Sequence, residues 1–73
     1  MSLTFDVKLG KVLRNRRIEK RYTQEYVADQ LGVSKNQVSH WELGKRSMYA
    51  ESLEEYCKIL NVPMQKIFEE MRI

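Results

Sequence analysis

Apolar positions in this chain recur with the period of a helix. Phe5, Leu9, Val12 and Leu13 fall on one stripe, with Lys8, Lys11, Arg14 and Asn15 mostly on the opposite side, which predicts a first helix from about Asp6 to about Lys20. Arg16 interrupts that stripe, but its aliphatic stem can cover apolar neighbours while the head reaches water. Thr23 reads as an N-cap, since its hydroxyl can accept a free amide of the turn that follows; a second helix, Gln24 to Leu31, ends at Gly32. Ser34 repeats the capping signal for a third helix, from Lys35 to about Leu43, which Gly44 stops. Leu53, Tyr56, Cys57 and Leu60 give the apolar stripe of a fourth helix, from about Ala50 to Leu60, with Glu51, Glu54, Glu55 and Lys58 outward and Asn61 at its end. Pro63 fits the first turn of a fifth helix, whose apolar face is Ile67, Phe68 and Met71. No proline precedes position 63, and no stretch alternates with period two. The expected class is all-α: five short helices in one domain over residues 6–73, behind an N-terminal tail of residues 1–5.

A chain of 73 residues supplies one core and not two, and a domain of this size is marginal unless tight packing or self-association assists it. Its 42% hydrophobic and 32% charged residues suit a soluble, folded domain and argue against disorder. No apolar run approaches the roughly 18 residues that span a bilayer, and no leader pattern opens the chain, so a cytoplasmic protein without a membrane partner is expected. Cys57 is the sole cysteine and His40 the sole histidine, which excludes an internal disulfide and the usual zinc sites. Cys57 lies among apolar residues and reads as a buried thiol. There is no paired carboxylate site, no nucleophile with its base, no phosphate-binding glycine loop and no metal cluster; neither an enzyme nor a cofactor is expected. No small-molecule ligand is expected either.

The net charge of +3 is unevenly placed. Residues 1–46 hold ten Lys/Arg against five Asp/Glu, and residues 47–73 hold three against five. This suits an anionic partner at one face, although a solvated surface is the commoner meaning of a basic stretch taken alone.

Residues 24–43 form the most specific pattern. Val27, Leu31, Val33, Val38 and Trp41 are apolar where two helices crossing steeply share a core, Ala28 is small where they approach, and Gly32 makes the turn. Together with LGKVLRNRR, YTQEYVADQLGVS, QVSHWELGKR and SLEEYCKILNV, this pattern resembles the lambda repressor and Cro-like family of DNA-binding domains, also called the XRE family. The resemblance covers Leu9 to Phe68 and implies the family's five-helix fold and binding to double-stranded DNA.

A helix fits the major groove, where each base pair shows a distinct pattern of donors, acceptors and methyl groups. With Val38, Trp41 and Leu43 turned inward, the third helix would expose Lys35, Asn36, Gln37, Ser39 and His40. Lys35 suits the acceptors of guanine, and Asn36 or Gln37 can pair bidentately with adenine. Against this stands the reading of a merely polar, wet helix. The resemblance implies base contacts from Lys35, Asn36, Gln37 and His40 and a phosphate contact from Gln24. By charge and placement, Lys45 and Arg46 are further phosphate contacts, and Ser39 is counted with them. The resemblance also implies a structural ion pair between Arg17 and Glu42 that orients the third helix.

Arg21 stands where many relatives carry glycine, and Met48 where many carry proline. Arg21 therefore either takes a left-handed conformation at a cost of order 1 kcal/mol or ends the first helix otherwise. Met48 and Tyr49 are expected to be core lids, with a partner surface as the alternative. Met64, Ile67, Phe68 and Met71, with Ile73, exceed what a short tail needs for its own core and are the expected interface of a homodimer on a palindromic operator. A repressor is the expected role. The alternative is an antitoxin-like or other protein-binding helix-turn-helix module.

Overall fold

Capping chemistry divides the chain. In the computed structural model, which describes residues 3–72, Thr23 Oγ1 accepts the Tyr26 amide at 3.0 Å and Ser34 Oγ accepts the Gln37 amide at 3.1 Å. Each satisfies one of the amides left free at a helix start. Gly32 (φ 69°) and Gly44 (φ 75°) turn left-handed at the far ends of those two helices, where a side chain would be strained. The resulting elements are α1 (Leu3–Glu19), α2 (Gln24–Leu31), α3 (Lys35–Leu43), α4 (Ala50–Leu60) and α5 (Met64–Met71). Among the described residues all regular structure is helical, and no helix is long and apolar enough to cross a membrane.

Two further turns are left-handed without glycine. Arg21 (φ 63°) and Asn61 (φ 57°) both take the left-handed conformation, so of the two expectations for Arg21 the left-handed one, with its cost of order 1 kcal/mol, holds. The first helix begins earlier than the tail of residues 1–5 allows: Leu3, Thr4 and Phe5 are helical. Nothing ahead of Asp6 breaks a helix, and Asp6 lies in the first turn, where its charge suits the free amides. Met1, Ser2 and Ile73 lie outside the described residues. Pro63 stands one position ahead of α5, as its cap residue.

The core joins Leu9 and Leu13 of α1, Val27 and Ala28 of α2, Val38 and Trp41 of α3, four residues of α4 (Leu53, Tyr56, Cys57 and Leu60), then Val62 and Ile67. Burying each large apolar side chain stabilises by about 1.5–3 kcal/mol. The packing runs α1 on α3, α2 on α3 and α4, and α5 back onto α1. Burial pushes the Cys57 thiol up to about 11, in keeping with an inert core residue.

The α1–α3 crossing depends on Gly10. A Cβ there would stand 2.4 Å from the Trp41 carbonyl oxygen and 2.5 Å from that of Glu42, so only glycine lets the two backbones approach this closely. Gly44 is crowded in the same way, with the Val7 backbone 2.7 Å from where its Cβ would be.

Four expectations change at this level. Ile67, expected in a dimer interface, is fully buried within the protomer, because its side of α5 closes the core onto α1 and α4. Leu43, expected inward, is 55% exposed, since α3 ends there and Gly44 turns the chain away. Met48 does pack on the core, but Tyr49 is 83% exposed and lids nothing. Arg16 does more than cover apolar neighbours: its guanidinium pairs with Glu70 and ties α1 to α5.

Candidate nucleic-acid interface

The helix-turn-helix begins with α2, turns over Gly32, Val33 and Ser34, and continues into α3. The Val33 amide donates to the Ala28 carbonyl at 3.0 Å and closes the turn. Val38 and Trp41 are buried, which fixes which side of α3 faces water. On that side Lys35 and Asn36 are exposed, and Gln37, Ser39 and His40 are half-buried. Past Gly44, Lys45 and Arg46 are exposed, and the Lys45 amide donates to the His40 carbonyl at 2.9 Å, which pins the start of this basic flank to the last turn of α3. Gln37 and Arg46 line one concavity together with Ser47, Met48 and Tyr49. Gln37 and His40 of α3 thus adjoin the basic flank.

Behind these residues lies Glu42, buried on the last turn of α3. Arg17 meets it side-on, Nε to Oε2 at 2.7 Å and Nη2 to Oε1 at 3.0 Å, and Arg17 Nη1 donates to the Tyr22 carbonyl at 2.7 Å. The Tyr56 hydroxyl donates to Glu42 Oε2 at 2.5 Å, and Gln24 Nε2 donates to Oε1 at 3.0 Å. One carboxylate on α3 therefore collects donors from α1, α2 and α4. Burial alone would raise its pKa, but the hydrogen bonds from Arg17, Tyr56 and Gln24 outweigh it and hold it below the ordinary carboxylate value. Burial, followed by its hydrogen bond to Glu42, pushes the Tyr56 phenol far above its usual range, so it stays a donor. Among the described residues no buried side-chain nitrogen or oxygen lacks a partner.

The Arg17–Glu42 pair expected from the resemblance is thus present, with more partners than expected. Gln24, read as a phosphate contact, is half-buried and spends one amide N–H on Glu42; its amide carries a second N–H for another acceptor. Sequence reasoning missed Tyr56, because a tyrosine on an apolar stripe counts as core until its hydroxyl is given a partner. It also missed Gly10, whose signal was available: a lone glycine inside a helical pattern often marks a close backbone approach.

Taken together, α3 presents amide, ammonium and imidazole groups on a rigid scaffold, beside two uncommitted cationic side chains. Such groups can hydrogen-bond base edges and phosphate oxygens.

Comparison with known proteins places this arrangement. A family profile described as Helix-turn-helix matches residues 13–67. An uncharacterized HTH-type transcriptional regulator of Sinorhizobium medicae is 32% identical over 65 residues, covering 89% of this chain and 47% of that protein. The chain therefore spans about half the length of the curated relatives it matches. The clp gene regulator ClgR of Corynebacterium glutamicum superposes with a TM-score of 0.89 at 26% identity, over 99% of this chain and 74% of that one. The restriction-modification controller protein C.AhdI of Aeromonas hydrophila superposes with a TM-score of 0.80 at 27% identity, over 85% of this chain and 94% of that one. With its capped α2–turn–α3 unit, its buried Arg17–Glu42 joint and a family match over three-quarters of its length, this chain belongs to the helix-turn-helix family.

Proposed function

We propose that this chain is a cytoplasmic, sequence-specific double-stranded DNA-binding transcriptional regulator: a repressor that binds a palindromic operator as a homodimer. The observation that carries the reading is the solvent side of α3. It groups Lys35, Asn36, Gln37, Ser39 and His40 beside Lys45 and Arg46, while the opposite side is locked into the core and, through Glu42, to Arg17 of α1. Lys35, Asn36, Gln37 and His40 are the base contacts. Gln24, Ser39, Lys45 and Arg46 hold phosphates, Gln24 through the N–H that Glu42 leaves over. The regulators and the controller protein among the similar chains support the same role.

The dimer surface is narrower than the sequence suggested. With Ile67 buried, the face consists of Phe68, 39% exposed, and Met71, which line a concavity with Thr4, Phe5, Lys8 and Arg72; Met64 is half-buried beside the core. The same apolar surface is what favours the second reading, a protein-binding or antitoxin-like module, in which a different protein covers it. Sedimentation separates the two: a concentration-dependent dimer supports the regulator, and a monomer that purifies with another protein supports the module.

The DNA contact itself is tested by titrating duplex at several salt concentrations. Removing the charge of Lys45 or of Arg46 should weaken binding to all sequences and lower the salt slope by about one in each variant. An unchanged slope in both variants would contradict the assignment.

A further inference from the structure

Tyr49 stands where a residue normally serves its own fold, and it does not. It is the cap residue of α4, with extended backbone (φ −68°, ψ 153°), yet its side chain accepts no helix amide. Serine, threonine, aspartate or asparagine at that position would. Nor is the ring buried: 83% of Tyr49 is exposed, more than any other large hydrophobic residue described. The fold thus forgoes both a cap and a packed ring at this position.

The surrounding backbone is nevertheless held firmly. Met48 packs on the core, Ser47 Oγ donates to Asp6 Oδ2 of α1 at 2.7 Å, and the Tyr49 carbonyl accepts the Leu53 amide at 3.0 Å. The base of the side chain is fixed while its ring stands in solvent. The concavity beside it is lined by Gln37 of α3 and by the exposed Arg46, with Ser47 and Met48. Lys45 and Arg46 make this the basic side of the loop, and Glu51 in the first turn of α4 is the first acidic residue beyond it.

We infer that Tyr49 is a DNA backbone contact, its phenolic hydroxyl donating to a phosphate oxygen that Arg46 also faces. The phenol is an uncharged donor at the rim of a cationic surface, the chemistry that holds a phosphodiester without adding charge. This extends the interface past α3 to the start of α4. The inference rests on the DNA-binding reading of α3. It also accounts for an aromatic residue at a capping position, because stability is commonly given up where a surface must bind.

Tyr49→Ser tests it, since serine restores the cap and removes the phenol. The thermal midpoint should rise by about 4 °C. Affinity should fall about tenfold, equally for a selected operator duplex and for an unrelated duplex, because a phosphate contact carries no sequence information. A variant that is more stable and binds both duplexes as tightly as the parent overturns the inference and leaves the α3 reading intact. A fall in midpoint that accompanies weaker binding also overturns it, since Tyr49 would then be structural. If the parent protein itself retains no duplex, the α3 reading fails and Tyr49 fails with it.

Discussion

Two neighbouring arginines on α1 build two joints of opposite character. Arg17 reaches Glu42 across the α1–α3 crossing, where the two side chains are 10% and 1% exposed. Arg16 reaches Glu70 across the α1–α5 contact, where they are 28% and 30% exposed. One step along a helix rotates a side chain by about 100°, and that rotation carries the second pair to the edge of the water. The buried pair sits in a four-helix node in which, among the described residues, no buried side-chain nitrogen or oxygen lacks a partner. The outer pair adds a single clasp to a contact that Ile67 already closes. Buried ion pairs are weak sources of net stability but costly to break, so they act by allowing one arrangement and penalising others. Here the arrangement so specified is that of α3, the helix proposed to read bases, whereas α5 is held mainly by apolar burial.

Breaking the inner joint should have the largest effect. Glu42→Ala removes the acceptor of Arg17, Tyr56 and Gln24 at once and should cost roughly 3 kcal/mol or more. A loss below about 0.5 kcal/mol in a denaturant titration would show that the node does not hold the fold together. Next in size is Gly10→Ala. Alanine is favoured within a helix by about 1 kcal/mol, but its Cβ would press on the Trp41 and Glu42 carbonyls, and relieving that overlap costs about 1–3 kcal/mol. A net destabilisation is expected, with weakened DNA binding because α3 shifts; a stabilised variant with full affinity would contradict the close approach.

Acid should distinguish the joints more gently. The Glu42 carboxyl titrates below its ordinary value of 4.5 in the folded state, so its contribution to stability is complete above that value and is lost as pH falls through the lower, folded one. The protein should therefore lose stability on acidification below about pH 4.5, and Glu42→Gln should remove part of that pH dependence. Glu70 is also lowered, chiefly by its hydrogen bond from Arg16, but solvent screens that pair. The smallest effect belongs to Arg16→Ala, expected to cost no more than about 1 kcal/mol and to leave affinity unchanged. A larger loss would make the outer clasp the equal of the inner one.

Much of this contrast was legible from residue types alone, and the illegible part has a common cause. Thr23, Ser34, Gly32, Gly44 and Asn61 mark helix ends through their own local chemistry, so both boundaries of α2 and α3 and the end of α4 needed no tertiary information. What depends on how helices cross was less accessible. Ile67 and Phe68 are adjacent on one apolar stripe, and only the position of α1 decides that the first is buried and the second exposed. Tyr56 reads as core either way; its donation to Glu42 exists because α4 brings its hydroxyl to the end of α3. Gln24 reads as a surface amide until the same node claims one of its hydrogens. Tyr49 looks like a lid, as large apolar residues in loops often are, until the fold leaves it outside.

The central claim is that the solvent side of α3 reads double-stranded DNA. Its most direct test is a binding selection from a random duplex pool, sequenced for the parent protein and for variants with Asn36 and Gln37 changed to alanine. The account predicts two repeated half-sites about one helical turn apart for the parent, with specificity relaxed at the corresponding positions in the variants. An unenriched pool with only salt-sensitive bulk binding, or a motif that both variants select unchanged, would contradict it.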